Sequence, residues 1–247
     1  MTGAEGRFGA AAESWDRRYD GEGTDAHRVR SRLDAAVELI GDGPGSMLDV
    51  GAGSGRLLAA LAARGWTVHG VDPAPRMLER ARTRVPHAAR LAVARAEGLP
   101  FADGTFDAVA IIGVLEYTAV GSALEELARV LRSGGRAVVG VHGCRSPATI
   151  WRRAVAAPVG RLVRRIGGTG RSIPPLRPAV ALEDVLRGLG DAGLTVERVV
   201  PVGVQVLLDP FDRLAPALAY RIASRAERSE RLRRMLATQR LVVARKT

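Results

Sequence analysis

Cysteine is almost missing from this chain of 247 residues. Cys144 stands alone, so no internal disulfide can form, and a reducing, cytoplasmic setting is expected. Lysine is equally scarce: Lys246 is the only one, so the formal net charge of +11 rests almost wholly on arginine. Acids are absent from Leu127 to Leu182, where arginines are many. No apolar run of about 18 residues suggests a membrane span, and no signal peptide is evident at the N-terminus. The four histidines, His27, His69, His87 and His142, show no metal-like spacing, so no resident metal is expected. There is no internal repeat and no low-complexity tract. A chain of this length is expected to form a single domain over residues 1–247 with elaborations, since domains commonly hold about 100 to 200 residues.

What is present is concentrated in Met47-Leu-Asp-Val-Gly-Ala-Gly-Ser-Gly-Arg56. A buried-strand run ends in Asp49 and turns through Gly51, Gly53 and Gly55, and an apolar helix begins at Leu57. Glycine at alternate positions allows positive φ and close approach of a ligand. A dinucleotide loop, G-x-G-x-x-G, would need its third glycine at position 56, which is Arg56. A carboxylate at Asp49 would repel a pyrophosphate but suits the ammonium group of a methionine-like ligand. The loop therefore favours S-adenosylmethionine over NAD, with a plain tight turn as the bland alternative. Trp66 to Asp72 reads as a second strand ending in an acid, roughly 20 residues after the first glycine, the spacing at which a carboxylate meets ribose hydroxyls. The plain alternative for Asp72 is an N-cap for the helix expected from Pro75 to Arg84, and the two roles are compatible.

With Ala96-Glu-Gly-Leu-Pro-Phe101 and Asp103 to Tyr117 added, the chain resembles the class I S-adenosylmethionine-dependent methyltransferases, in the small-molecule branch that includes the ubiquinone and menaquinone biosynthesis enzymes. The likeness is dense from Met47 to His142, weaker before it and mostly lost after Ser146. It implies a Rossmann-like, doubly wound α/β fold with a seven-stranded, mostly parallel sheet whose last strand is antiparallel, and helical cover elements. It also implies that Asp49, Gly51, Ala52 and Gly53 hold the methionine end of the cofactor. Asp72 would bind the ribose, Pro73 and Met77 would lie beside the adenine, and Ala96 and Glu97 would line its edge. Ile112 and Gly113 would fall near the reacting methyl group, followed by Glu116 and Tyr117 in a loop that touches cofactor or substrate. The chain departs from the family at Arg95, where an Asp commonly accepts from the adenine amine. An arginine offers donors only, so adenine recognition falls to backbone groups, to Glu97 or to stacking by Arg95.

A coarse pass gives helices at Glu13–Tyr19 and His27–Ile40, then strands starting near Met47, Trp66, Arg90, Phe106, Arg136, Thr195 and Gln239 with helices between them. Such alternation argues for a parallel, doubly wound sheet with ligands at the carboxyl ends of its strands. The S-adenosylmethionine-binding core is expected over residues 46–145, an N-terminal helical cover over 1–45, and substrate-cover insertions over 146–180 and 210–237. Methyl transfer asks mainly for alignment of nucleophile, methyl and sulfur, which can supply several kcal/mol. A general base helps only if the acceptor keeps its proton. His142 is the candidate by type and place, with Tyr117 and Glu116 behind it, and a structural hydrogen bond is the plain alternative for the histidine. Phe106 is expected in the core and Asp107 at a local turn. Ser54, Ser133 and Cys144 have no histidine partner at recognisable spacing, which argues against a nucleophilic hydrolase.

Three readings of the basic charge compete. Nucleic acid would use it for phosphate contacts, but Ile112-Gly-Val-Leu115 lacks the Asn or Asp, two prolines and aromatic of enzymes acting on exocyclic base amines, and Cys144 lacks the context of a cytosine-C5 enzyme. A membrane surface or lipid-like substrate fits the stripe Trp151, Val155, Val159, Leu162 and Ile166, with Arg153, Arg161, Arg164 and Arg165 on other sides and Pro158 and Gly160 interrupting it. A lid packing that stripe on the core is the commoner outcome. Genomic bias explains the choice of arginine but not the lack of acids. A glycine- and proline-rich loop is expected over Gly167–Pro178, a helix over Leu182–Asp191, a strand over Thr195–Val200, two amphipathic helices over Pro210–Ala237 with Leu214, Leu218 and Ile222 on one face, and the last strand at Arg240–Arg245. Tyr19 and Arg30 are placed near the methionine carboxylate. The expected function is methyl transfer, in small-molecule or natural-product biosynthesis, to a small, hydrophobic or lipid-like acceptor that carries an anionic group or none, with S-adenosylhomocysteine as product. The alternatives are a protein that binds the cofactor without transferring methyl, and a nucleic-acid methyltransferase. Neither acceptor nor oligomeric state follows from the sequence.

Overall fold

The computed structural model describes residues 16–21, 23–87, 89–142, 147–151, 154, 180–206 and 215–247. The first half alternates strand and helix: α1 (Thr24–Ile40), β1 (Gly45–Val50), α2 (Arg56–Ala62), β2 (Trp66–Val71), α3 (Pro75–Arg82), β3 (Arg90–Ala92) and β4 (Phe106–Ile112). A 3-10 turn (Leu115–Tyr117) leads to α4 (Val120–Val130), β5 (Leu131–His142) and the short α5 (Pro147–Trp151). The C-terminal part adds α6 (Leu182–Asp191), β6 (Leu194–Val204), α7 (Pro216–Glu227), α8 (Glu230–Leu236) and β7 (Ala237–Lys246). Residues 16–20 are also helical.

The strands form one seven-stranded sheet of order β3-β2-β1-β4-β5-β7-β6. The pairs β1–β2, β2–β3, β1–β4 and β4–β5 are parallel, and β7 runs antiparallel between β5 and β6. This is the doubly wound sheet with an antiparallel last strand that the sequence implies. Sequence order reverses at β1, with β2 on one side and β4 on the other, and that switch opens a crevice outside the carboxyl ends of the strands.

Side-chain alternation distributes the strands between two cores. Leu48, Val50, Val109, Ile111 and Val139 face α4 and α6 through Leu124, Leu127, Val185 and Leu189. Met47, Ala108, Ala110 and Val138 face α1 and α2 through Ala36, Val37, Leu57, Leu58 and Leu61. Asp49 shares the parity of Met47, so its carboxyl falls on the α1 side. Pro75 opens α3, where a missing N–H costs nothing, and Glu183 and Asp184 sit in the first turn of α6, where the helix dipole favours them.

Several boundaries differ from the sequence reading. β5 begins at Leu131 rather than Arg136, because Leu131 pairs with Phe106 ahead of a register shift. β7 begins at Ala237 and pairs on both sides. Phe106 is fully buried as expected, but Asp107 does not serve a local turn: its Oδ2 accepts from Ser46 N at 2.6 Å, pinning the start of β1, and it pairs with Arg132. The expected stripe Val155–Ile166, the loop Gly167–Pro178, Cys144, Leu214 and the start of the helix Glu13–Tyr19 lie outside the described residues. Among the described residues no helix is long and apolar enough to cross a membrane, and no group of three or more His, Cys, Asp or Glu is placed to hold a metal ion.

Candidate active site

One cavity opens at the carboxyl ends of β1, β2 and β4. Asp49, Gly51, Ala52 and Gly53 line it from β1 and the following turn, and Asp72, Pro73 and Met77 from the end of β2 and α3. Ala96 and Glu97 line it after β3, and Ile112 and Gly113 at the end of β4. Residues spread over 65 positions of sequence, from Asp49 to Gly113, thus share one wall.

Two glycines show why the loop has its composition. Gly51 has φ of 80°, and a Cβ there would collide with the Val114 side chain. Gly53 has φ of 54°, yet a Cβ there would meet nothing nearer than the Gly51 carbonyl oxygen at 4.0 Å. The first glycine is demanded by packing, whereas the second leaves open space on the cavity side for a ligand. Close helix packing, the task of the third glycine in a dinucleotide loop, is done here by Gly55, where a Cβ would stand 2.9 Å from Ala81 Cβ of α3.

The two acids are placed differently. Asp72 Oδ2 accepts from Gly53 N at 2.9 Å and Oδ1 from Ala74 N at 2.8 Å, so it ties the glycine loop to the start of α3 while lining the cavity. Both sequence readings of Asp72, an anchor in the cavity wall and a bracket at the helix entrance, are compatible with this placement. Burial raises its pKa, and these two bonds oppose the rise without cancelling it. Asp49 is only 5% exposed. Burial, reinforced by the neighbouring Asp72 carboxylate and only partly offset by Arg32, pushes its pKa up to about 7. A carboxylate short of positive charge in a cavity wall is chemically matched to a cationic ligand.

The N-terminal helical segment closes against the loop through Asp16. Ser54 Oγ donates to Asp16 Oδ1 at 2.7 Å, Arg80 Nη2 and Arg84 Nη2 each reach Oδ2 at 2.9 Å, and Arg56 Nε lies 3.3 Å from Oδ1. Burial alone would raise the Asp16 pKa, but the bonds from Ser54, Arg84 and Arg80 outweigh it and hold the group well below the usual carboxylate range. Tyr19, one turn on, lines the cavity, and the Arg56 guanidinium lies 4.4 Å from its ring centroid. Arg30 does not reach the cavity. Its guanidinium donates to the carbonyls of Tyr19 at 2.6 Å and Gly21 at 2.7 Å, which fixes the segment rather than a ligand.

The arginine that does reach the cavity is Arg32, which sequence reasoning missed. It is buried in α1 between Val29 and Ala36, three positions after one and four before the other. A charge inside a helix's apolar stripe was the available signal. Arg32 Nη1 lies 3.1 Å from His142 Nε2 and 3.4 Å from Gln239 Oε1. A guanidinium cannot accept, so Nε2 is the acceptor and the proton of a neutral His142 sits on Nδ1, against the buried Glu116 carboxylate with which that atom pairs. His142 therefore stands behind Arg32, outside the cavity lining, with both ring nitrogens engaged. Tyr117 lines the cavity, whereas Glu116 turns away to His142. Arg95 sits on the rim 3.6 Å from Glu97, whose Oε1 accepts from Ala119 N at 3.1 Å.

Residues 48–139 match the family model described as a methyltransferase domain. An uncharacterised methyltransferase of Mycobacterium tuberculosis is 37% identical over 115 residues, covering 47% of this chain and 46% of that protein. A demethylmenaquinone methyltransferase of Tropheryma whipplei is 39% identical over 118 residues, covering 47% of this chain and 48% of that protein. The chain thus spans about half the length of these relatives. Among solved structures, an S-adenosylmethionine-dependent methyltransferase of Thermotoga maritima superposes with a TM-score of 0.64 over 97% of this chain and 98% of that one at 20% identity, a likeness of fold.

Proposed function

We propose that this protein, whose core is a class I S-adenosylmethionine-dependent methyltransferase domain, transfers the methyl group of S-adenosylmethionine to a small, hydrophobic or lipid-like acceptor. The observation that carries this reading is the cavity walled by Asp49 and Asp72 with the open face of Gly53 between them. In this reading Asp49 faces the ammonium of the methionine moiety, and Asp72, beyond its two backbone bonds, accepts from the ribose hydroxyls. Pro73 and Met77 flank the adenine, Ala96 and Glu97 take its edge, and Ile112 and Gly113 border the reacting centre.

The bound cofactor supplies a carbon already activated by a positive sulfur, leaving the protein to align the acceptor atom with it and exclude water. Tyr117 lines the cavity wall, and in this reading it meets the acceptor. His142 acts through Arg32 instead of as a base. In this reading the described N-terminal residues, α5, α7 and α8 belong to the cover on the acceptor side. In the described part of that cover, Ile150, Leu218, Leu232 and Met235 keep large apolar side chains exposed among the arginines of α7 and α8, which favours an amphiphilic acceptor or a lipid surface.

Two measurements test the reading. S-adenosylhomocysteine at about one hundred times its dissociation constant contributes about 2.7 kcal/mol, so it is expected to raise Tm by about 5 to 10 °C. NAD is expected to leave Tm unchanged. Incubation with labelled S-adenosylmethionine and a lipid extract of the source cells then yields a methylated small molecule. Binding of the cofactor with no labelled product in any extract fraction would instead favour a protein that does not transfer methyl.

A further inference from the structure

We infer that Arg32 determines acceptor specificity by recognising an anionic oxygen group, such as a carboxylate, on the acceptor. The inference rests on the methyltransferase reading above and adds the chemical class of the group that the acceptor presents. Arg32 is 9% exposed, yet its side chain lines the cavity. Burying a guanidinium is costly unless it is paired, and neither neighbour of its Nη1 is a carboxylate: His142 and Gln239 accept as neutral groups. On the cavity side Asp49 feels Arg32 as an opposing positive charge, without a bond between them. With Nη1 held by His142 and Gln239, Nε and Nη2 form the remaining edge of this cavity-lining guanidinium, an edge that pairs bidentately with a carboxylate.

Its position decides between the two possible sources of that anion. The cofactor residues proposed above stand over β1, β2, β3 and the end of β4, whereas Arg32 is gripped from the far side, by His142 at the end of β5 and Gln239 in β7. A Cβ placed on Gly113 would lie 3.3 Å from Arg32 Nη1 and 3.5 Å from His142 Cε1, so this pair flanks the end of β4 on the side away from Asp72. Glu116 fixes the His142 tautomer, which fixes the acceptor nitrogen for Arg32; His142 and Glu116 are positioning residues.

The test is isothermal titration of the full chain saturated with S-adenosylhomocysteine, using decanoate and its uncharged counterpart decanamide as probes. Wild type is expected to bind decanoate about tenfold or more tightly than decanamide, in keeping with hydrogen bonds to a charged group. Arg32→Gln erases that preference while S-adenosylhomocysteine affinity stays within about twofold. Should Arg32→Gln fail to fold, His142→Ala provides the second reading: it loosens the guanidinium and lowers the preference several-fold without changing S-adenosylhomocysteine affinity. Equal binding of both probes by wild type overturns the inference, as does a preference that survives in both variants. A loss of S-adenosylhomocysteine affinity in Arg32→Gln, with 5′-methylthioadenosine binding intact, overturns it too, by assigning Arg32 to the methionine carboxylate. Failure of wild type to bind S-adenosylhomocysteine at all would sink the methyltransferase reading itself, whereas cofactor binding without anion preference sinks this inference alone.

Discussion

Asp49 shows how one side chain couples ligand binding to pH. Its folded-state pKa stands near 7, above the ordinary carboxyl value of 3.8, chiefly because it is buried and then because Asp72 lies near. A raised folded pKa in an acid means that ionisation opposes folding: the penalty is absent below about pH 4, grows as pH rises, and is complete above about pH 7. A cationic ligand reverses the balance by stabilising the ionised form. Affinity for S-adenosylhomocysteine, which keeps its ammonium over this range, should therefore rise from pH 6 to pH 8 and level off. Asp49→Asn is expected to raise the Tm of the free protein at pH 8 by about 3 °C or more, with little change at pH 5. The same substitution should weaken S-adenosylhomocysteine binding about tenfold or more at pH 8 and flatten the pH profile. Titration calorimetry and thermal scans across that range check both halves; an unchanged profile would mean that another group governs binding.

Among the elements, the N-terminal helical segment depends on one buried acid, and removing its charge should be felt in cofactor kinetics before global stability. Asp16→Asn keeps the acceptor oxygen for Ser54 but takes the counter-charge from Arg80 and Arg84 and leaves Arg56 with Asp20 alone, so the segment carrying Tyr19 loosens from the cavity mouth. The expected result is dissociation of S-adenosylhomocysteine faster by about five- to tenfold, with Tm of the free protein falling by no more than about 3 °C; stopped-flow displacement measures the first. How much of this was legible in the sequence follows from distance along the chain. The strand–glycine loop–helix unit from Met47 to Leu61 and the acid at Asp72 are local patterns, and their residues meet because neighbouring strands end together. The Arg32–His142 contact spans 110 positions, and the Asp16–Arg84 contact spans 68, so neither leaves a periodic trace. For Arg32 the trace was the charge within the apolar stripe of α1. For His142 the strand-end position was correctly read, but its role depended on which groups from α1 and the 3-10 turn would meet its two nitrogens.

At the scale of the whole molecule, the net charge of +11 must not be confused with a binding site. Much of the basic charge in the described residues is engaged in the protein's own architecture. Arg129 bonds to the Phe101 and Leu99 carbonyls and to Glu126, Arg136 to the Leu39 and Ile40 carbonyls, and Arg80 and Arg84 to Asp16. The exposed remainder is scattered over several elements, including Arg76 and Arg82 on α3, Arg221 and Arg225 on α7 and Arg231 on α8. Scattered positive charge attracts any polyanion by counterion release but supplies no register for reading bases. A fluorescent oligonucleotide should accordingly bind at about 20 mM salt with no preference among sequences, lose most of its affinity by about 200 mM, and accept no methyl group at either concentration. Sequence-selective binding that survives about 200 mM salt, or label appearing in the oligonucleotide, would return the nucleic-acid reading to first place. Cavity and surface make opposite demands on salt: the enclosed Asp49 acts on the cofactor's ammonium at short range and is screened little, so S-adenosylhomocysteine affinity should change by less than about twofold over the same interval. Measuring both ligands in one salt series separates a charged surface from a charged site.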